Sequence, residues 1–258
     1  MIDTHAHFYD EIYLNDFQNH LNDVLNSGVK EIWLPNCDSS TLGDLLKISS
    51  EFPEKLRPMV GLHPTYVKEN YKDELNFVLD AISSTPNLLA IGEIGLDYYW
   101  DTTFKNEQID AFETQCFWAI KNHLWVDIHC RKAYADLIKI IRKKEFIDLR
   151  GIIHCFSGDA SEARHCIENG FYLGIGGVIT YKNSNLFESI KDISLDYIVL
   201  ETDAPYLTPV PHRGTPNSPK YIPIIAQKLA DLYEVDVEIV IEKTTFNANQ
   251  LKSFSGVL

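Results

Sequence analysis

The amino-acid sequence predicts an α/β protein whose fold class is a (β/α)₈ TIM barrel. Eight short apolar runs rich in β-formers recur along the chain, and most spacers between them carry apolar residues every three or four positions. This alternation favours parallel strands joined by crossover helices. The length of 258 residues suits one closed barrel better than an open doubly wound sheet. No Pro-, Gly- or Ser-rich linker divides the chain, so we predict one domain over residues 1–258.

The elements follow in order along the chain. The predicted strands are residues 1–6, 31–36, 57–62, 88–94, 125–130, 150–155, 171–176 and 196–202. The predicted helices are residues 14–26, 73–83, 106–122, 133–145, 220–233 and 236–251, with a weaker one at 178–191. The loop 204–219 is Pro-rich, and we expect it to fold over one end of the barrel.

Composition limits the classes of function. The formal charge of −14 argues against a broad basic surface that would capture nucleic acid at long range, so a polyanionic substrate must be held locally. The five cysteines include no C-x-x-C pair, which favours reduced thiols. The first residues lack a basic segment followed by an apolar run, and no window is long and apolar enough for a membrane span. We therefore expect a cytoplasmic protein without membrane association or an obligate protein partner.

Polar residues with metal-binding chemistry stand at the ends of predicted strands. In D-T-H-A-H (3–7), Asp3, His5 and His7 are spaced to share one strand face, although an exposed polar-faced strand would look the same. Glu93 lies in an apolar run, where a buried carboxylate needs compensation. The ends of three further predicted strands carry His129, His154 and Asp203.

A barrel gathers such strand ends at one mouth, where active sites form. Six ligands exceed the needs of one tetrahedral ion, so we predict two divalent metal ions, with magnesium, manganese and zinc all compatible. Glu93 is the expected bridge. The other ligands are then His5, His7 and Asp203 for one ion, and His129 and His154 for the second.

Seven motifs in order resemble those of the TatD-type metal-dependent hydrolases over nearly the whole chain. They are D-T-H-A-H (3–7), G-L-H-P (61–64), G-E-I-G-L-D-Y (92–98), H-C-R (129–131), H-C-F-S-G (154–158), E-T-D-A-P-Y-L (201–207) and R-G-x-x-N-x-P (213–219). The resemblance implies a TIM-barrel phosphodiesterase, usually a metal-dependent deoxyribonuclease. It also implies the same ligands: His5, His7, Glu93, His129, His154 and Asp203.

Further roles are assigned by position. Asp203 is the expected general base beside Glu93, with a helix N-cap as its alternative role. Glu201 and Asp3 are candidates for orienting a ligand, and Glu201 has a core hydrogen bond as its alternative. The candidate phosphate-binding residues are His63, Arg131, Arg213 and Asn217. Their alternatives are loop hydrogen bonding for His63, a surface salt bridge for Arg131, and a purely loop-shaping role for Arg213 and Asn217.

Aromatic residues directly follow the Glu93 motif. Tyr98, Tyr99 and Trp100 are either packed core or faces on which an unpaired base stacks. Cys130 and Cys155 adjoin proposed ligands, but strand alternation sends them to the opposite face. We therefore exclude both thiols as ligands.

The predicted function is a phosphodiesterase that trims single-stranded DNA through a water activated by two metal ions. Its polarity, from the 3′ end, rests on the family alone. An amidohydrolase or deaminase is the first alternative, but many binuclear members bridge their metals with a carbamylated lysine. No lysine occurs between Lys72 and Lys105, where Glu93 stands instead. The remaining alternatives are ester hydrolysis on aminoacyl-tRNA and a non-catalytic metal-binding barrel.

Overall fold

The computed structural model describes residues 1–256, and its centre is one sheet of eight parallel strands. These are β1 (Ile2–Asp3), β2 (Glu31–Pro35), β3 (Leu56–Met59), β4 (Ala90–Asp97), β5 (Trp125–Arg131), β6 (Gly151–Ile153), β7 (Phe171–Ile175) and β8 (Ile198–Leu200). Neighbours pair in chain order from β1 to β8, which confirms the predicted barrel. The last two positions of the predicted 1–258 domain lie outside the described residues.

Helices alternate with the strands and cover the sheet. Within residues 1–256 they are α1 (Glu11–Leu14), α2 (Phe17–Asn26), α3 (Ser39–Glu51), α4 (Tyr71–Ser84), α5 (Lys105–Lys121), α6 (Tyr134–Ile141), α7 (Ala160–Glu168), α8 (Leu186–Ile190), α9 (Ile222–Tyr233) and α10 (Val237–Phe254). The segment predicted as a weaker helix, 178–191, forms a 3₁₀ turn at Gly177–Thr180 and then the short α8. None of the described helices combines the length and the apolarity needed to cross a membrane.

The barrel closes between the segment after β1 and the segment after β8. The Asp203 N–H donates to the His5 carbonyl at 2.9 Å, one of several backbone hydrogen bonds across this seam. β1 ends at Asp3, so the predicted strand 1–6 is too long, and His5 and His7 lie in irregular backbone beyond it. Backbone pairing with the segment after β8, and not strand alternation, positions the two histidines.

Asp3 links the segment after β1 to the segment after β8 through hydrogen bonds in the barrel interior. Its buried carboxylate accepts hydrogen bonds from the Thr202 hydroxyl at 2.6 Å, the Thr202 N–H at 3.0 Å and the His5 N–H at 3.3 Å. Burial raises the pKa of Asp3 to about 7 although these donors oppose the shift. Asp3 thus holds the backbone of the candidate ligand His5, whose ring is held separately by Asp127.

The N-terminal end of the barrel is filled by large side chains. Trp33 and Trp125 are fully buried there with ring centroids 5.2 Å apart, and they pack in one cluster with Met59 and with Leu251 of α10. Most of the strands and α10 contribute side chains to this cluster, so it fills the N-terminal end of the barrel. The mouth that remains is at the C-terminal ends of the strands.

A β-bulge in β4 turns Glu93 toward the barrel axis. Ile91 and Ile94 pair with β5 residues only two apart, so Gly92 and Glu93 together stand opposite Asp127. Ile91 and Ile94 both join the outer core although they are three positions apart, which strict alternation would forbid. A Cβ on Gly92 would lie 2.5 Å from the Asp127 Cβ, so only glycine fits at this bulge.

Candidate metal centre

The structure brings the six predicted ligands to the C-terminal mouth of the barrel. Their positions are His5 and His7 after β1, Glu93 in β4, His129 in β5, His154 directly after β6, and Asp203 after β8. They surround a cavity of about 590 Å³ whose lining includes most of them. Glu93 occupies the centre of the group, and its carboxylate is almost completely buried.

The two oxygens of Glu93 face different histidines. Oε1 lies 2.8 Å from Nε2 of His154 and 3.0 Å from Nδ1 of His129. Oε2 lies 3.4 Å from Nε2 of His5 and 3.7 Å from Nε2 of His7. One carboxylate therefore lies between two pairs of candidate ligands, as a bridging ligand requires, and a further imidazole, that of His63, lies 3.2 Å from Oε1.

Asp203 stands on the His5 and His7 side of the centre. Its Oδ1 is 3.6 Å from Nε2 of His5 and 3.5 Å from Nε2 of His7. Burial by itself raises the pKa of the Asp203 carboxyl, but the two histidines and His154 lower it below its usual value. The carboxylate is therefore ionised at neutral pH and can hold a cation or accept a proton.

For three of the four imidazoles, a hydrogen bond from the nitrogen that faces away from Glu93 decides which nitrogen faces the centre. Nδ1 of His5 lies 2.7 Å from the Asp127 carboxylate, which can only accept, so this nitrogen carries the proton. The Tyr9 hydroxyl donates its proton to the Pro35 carbonyl, so it can only accept from Nδ1 of His7, which lies 3.0 Å away. In the neutral form of each ring, Nε2 is therefore the nitrogen with the lone pair, and it faces Glu93.

His129 presents its other ring nitrogen. Its Nε2 lies 2.8 Å from the carboxylate of the buried Asp97, so Nε2 carries the proton and Nδ1 is available to a metal. Sequence reasoning did not single out Asp97, Asp127 or Tyr9 as partners of the ligands. A signal did exist for the two aspartates, since Asp97 belongs to the G-L-D motif and Asp127 precedes His129 by two positions in its strand.

The charges at the centre compensate one another. Burial and the neighbouring His154 lower the pKa of the His5 imidazole, but Asp127 and Glu93 raise it to about 9. Burial likewise opposes charge on Glu93, yet His63, His154 and His5 hold its pKa well below its usual value. A bound cation would take over this role from the imidazole protons, because metal ligands bind in their deprotonated forms.

The residues present fit a divalent ion. Nε2 of His5 is fully buried and has no hydrogen-bond partner, although it points at two carboxylates. An unpartnered polar atom in this position is costly unless a ligand completes it. The donor set of four imidazoles and two carboxylates suits borderline divalent ions.

Asp127 offers a test of ligand orientation. We expect Asp127→Ala to weaken metal binding by about 10- to 100-fold, because the His5 ring loses the acceptor that fixes its tautomer. Titration against a competing chelator would measure the affinity, and circular dichroism would verify the fold. Asp44→Ala, which removes an exposed carboxylate on α3, is the matched control. Equal affinities of the two variants would contradict this role.

His63 lies beside the centre, and in its ring the nitrogen that faces Glu93 carries the proton, unlike the corresponding nitrogens of the neutral His5 and His7 rings. Its Nδ1 accepts the Thr65 N–H at 3.1 Å, so the proton of the neutral ring is on Nε2, which faces Oε1 of Glu93 at 3.2 Å. Burial lowers the pKa of His63 and keeps the ring neutral. In this tautomer Nε2 donates to anionic oxygens, although the ring lies close enough to Glu93 and His129 for the three side chains together to hold an ion.

Glu201 lies deeper in the barrel, behind His154. Its Oε1 accepts the Cys155 N–H at 2.6 Å and lies 3.8 Å from Nδ1 of His154. A Cβ on Gly174 would stand 2.1 Å from Oε2 of Glu201, so the glycine makes room for this carboxylate. Glu201 makes the core hydrogen bond that the sequence left as the alternative, and it also lies near the ring of a candidate ligand.

The four candidate phosphate-binding residues separate into two groups. His63 and Arg131 line the cavity, whereas Arg213 is exposed over the Tyr181 ring and is not part of the lining. Asn217 is buried, and its side-chain amide donates to the Thr202 and Tyr206 carbonyls. Asn217 therefore has no free donor for phosphate, and the loop-shaping role describes it.

The aromatic residues after β4 differ in solvent exposure, and the two cysteines beside candidate ligands differ in their surroundings. Tyr98 is partly buried, whereas Tyr99 and Trp100 are exposed, so the packed-core reading does not hold for the latter two. Cys130 is buried in the outer core. Both cysteines are nevertheless among the residues that line the cavity, and Cys155 reaches it where β6 has ended and the backbone turns with φ +45°, so strand alternation does not separate the two thiols from the ligands.

A (β/α)₈ barrel with clustered imidazoles and carboxylates at its C-terminal mouth is the structure of a metal-dependent hydrolase. Residues 2–253 match the family model described as TatD related DNase. The chain therefore belongs to the TatD family of metal-dependent hydrolases, and the resemblance seen in the motifs is confirmed.

Individual relatives agree with this assignment. The metal-dependent hydrolase YabD of Bacillus subtilis is 34% identical over 97% of this chain and 98% of its own length. The metal-dependent hydrolase YcfH of Escherichia coli K12 is 30% identical over 97% of this chain and 95% of its own. Among solved structures, the TatD homologue YjjV of E. coli K12 superposes with a TM-score of 0.91, at 26% identity and 97% coverage of both chains.

Proposed function

We propose that this hydrolase is a metal-dependent phosphodiesterase, specifically a deoxyribonuclease that removes nucleotides from the 3′ end of single-stranded DNA. The observation that carries the proposal is the Glu93 carboxylate, whose two oxygens face two separate pairs of histidines. The description of the matching family model, TatD related DNase, supports the substrate class. The 3′ polarity follows only from the resemblance to that family.

Six residues would hold two divalent ions. His5, His7 and Asp203 would bind one ion, His129 and His154 the other, and Glu93 both. When bound, the ions supply an activated water and neutralise charge on the phosphodiester. The imidazoles of His5, His7 and His129 are each oriented by a hydrogen bond from the ring nitrogen that faces away from Glu93, which lowers the reorganisation required during the reaction.

Asp203 is the proposed general base. Its side chain is 15% exposed and lines the cavity, whereas that of Glu93 is only 3% exposed. Asp203 is therefore the carboxylate that water can reach, and its lowered pKa keeps it ready to accept a proton. Glu93 is left to its role as a shared ligand.

Two residues are proposed to hold the phosphate. His63 lines the cavity, and its Nε2–H, which faces Oε1 of Glu93 at 3.2 Å, would turn to a phosphate oxygen when Glu93 holds the ions. Arg131 supplies a guanidinium, which matches phosphate oxygens in a bidentate manner. With a formal charge of −14, the protein would capture long duplexes weakly, and a strand end that enters the mouth is the favoured substrate.

The test is cleavage of a 5′-labelled single-stranded oligonucleotide. Chelator-stripped protein would be resupplied with magnesium, manganese or zinc, and we expect a ladder that shortens from the 3′ end and requires metal. A circular single strand of the same composition is the control, because it has no end and should remain intact. Cleavage of the circle would contradict the exonuclease mode. Absence of cleavage by folded, metal-loaded protein would reject the nuclease and favour a carbonyl substrate, as in an amidohydrolase or an aminoacyl-tRNA ester hydrolase.

A further inference from the structure

Two large aromatic side chains stand exposed at the rim of the metal centre. Tyr99 is 51% exposed and Trp100 is 68% exposed, and both directly follow β4. Trp100 is one of the residues that line the cavity, together with Glu93 and His129. Exposed apolar surface that continues into an active-site cavity is typical of a binding surface.

Arg131 lies against the same two rings. The centre of its guanidinium is 3.9 Å from the Tyr99 ring centroid and 5.2 Å from that of Trp100. Within residues 1–256 no carboxylate pairs with this guanidinium, so the salt bridge considered from the sequence does not form. In an acidic protein, an arginine without a carboxylate partner at the cavity is a local site for an anion. We call Tyr99, Trp100 and Arg131 the aromatic shelf.

One buried carboxylate ties the aromatic shelf to the metal centre. Oδ1 of Asp97 accepts the backbone N–H groups of Tyr99 at 2.8 Å and Trp100 at 3.3 Å. Oδ2 of the same residue accepts from His129 at 2.8 Å. The shelf is therefore held at a set distance from a candidate metal ligand, as a subsite for a neighbouring part of the same substrate requires.

We propose that the aromatic shelf stacks an unpaired nucleobase adjacent to the scissile phosphate, with Arg131 holding a backbone phosphate beside it. This inference rests on the proposed phosphodiesterase function and names a subsite of that activity. A base within a duplex is stacked on both faces, so the shelf selects single strands or frayed ends. Because every base has a π face, stacking is tolerant of sequence.

The intrinsic fluorescence of Trp100 offers a direct measurement of binding. Of the four tryptophans, Trp33 and Trp125 are fully buried and Trp118 is partly buried. Trp100 is therefore the one that a stacked base would quench. The metal-loaded protein would be titrated with oligothymidylate carrying phosphorothioate linkages, to slow cleavage. A matched oligonucleotide whose last two nucleotides lack bases is the control ligand, and Trp100→Phe assigns the signal.

Cleavage kinetics give an independent measurement. We expect Trp100→Ala to lower kcat/KM on a normal 3′ end by on the order of tenfold, which is the loss of one stacked base. The loss on the abasic 3′ end should be clearly smaller, because that substrate has no base to stack. Phe117→Ala, which removes another exposed aromatic ring on α5, is the control variant.

The outcomes separate this inference from the proposed function. Quenching and a cleavage advantage that both require the base and Trp100 would support the shelf. Equal cleavage of normal and abasic ends by the wild type would overturn the shelf and leave the phosphodiesterase intact. Base-dependent quenching without cleavage of DNA or of bis(p-nitrophenyl) phosphate would support the shelf as a base-binding site and reject the phosphodiesterase. Absence of both binding and cleavage would reject both.

Discussion

Glu93→Gln is expected to reduce hydrolysis by at least about 10³-fold while the fold is retained. The amide has nearly the shape of the carboxylate but lacks its charge, and one of its two ends becomes an NH₂ group. That end would face either the His5 and His7 pair or the His129 and His154 pair, and there it could not coordinate a metal ion as a carboxylate oxygen does. Loss of a shared ligand removes several kcal/mol of transition-state stabilisation.

The measurement is the rate of oligonucleotide cleavage and the metal content of the same preparation. Glu145→Gln, at an exposed position, is the matched control and should behave like the wild type. Thermal unfolding followed by circular dichroism would show that Glu93→Gln remains folded. A variant that retains both metal content and rate would disprove the bridging role of Glu93.

His154→Ala should remove about one metal equivalent and abolish turnover. Its Nε2 lies 2.8 Å from Oε1 of Glu93, on the side shared with His129. The opposite side keeps His5 and His7, so one ion should remain bound. The substitution also removes the ring that stacks on His5 at 3.8 Å, and some loss of stability is expected with it.

Elemental analysis after dialysis would count the metal ions, and the half-exposed His165→Ala would serve as the control. His7→Ala provides the reciprocal experiment, since it should weaken the other ion and leave the His129 side intact. Loss of both equivalents from either variant would show that the two positions are not independent. Unchanged metal content in His154→Ala would reject the ligand assignment.

The predicted strands and their order agree closely with the structure, because both rest on local patterns. Apolar runs bounded by amphipathic helices identify parallel strands, and a polar residue at the end of such a strand lies at the barrel mouth. His129 and His154 are found in this way. The seam at β1 was less predictable, since the strand ends at Asp3 and backbone pairing with the segment after β8 carries the chain onward.

The sequence placed Asp97 and Asp127 near candidate ligands but did not show which imidazole each carboxylate contacts. Asp127 holds His5 across 122 positions, and Asp97 serves both His129 and the turn that carries Trp100. Strand alternation shows which face a residue occupies, but it does not tell which atom of a distant residue that side chain meets. Asn217 illustrates the opposite case, because its motif suggested phosphate binding, with loop shaping as the alternative, and its hydrogen bonds hold a loop.

The sequence by itself determined the eight strands and most of the helices between them, the six candidate metal ligands near the strand ends and the membership of the TatD family. These follow from residue order and short-range periodicity, which are properties of the chain alone. The tertiary structure decided that Glu93 faces two pairs of histidines, because the bulge at Gly92 turns it inward. It also decided which ring nitrogens are free and where the aromatic shelf stands, because both depend on contacts between strands far apart in the chain.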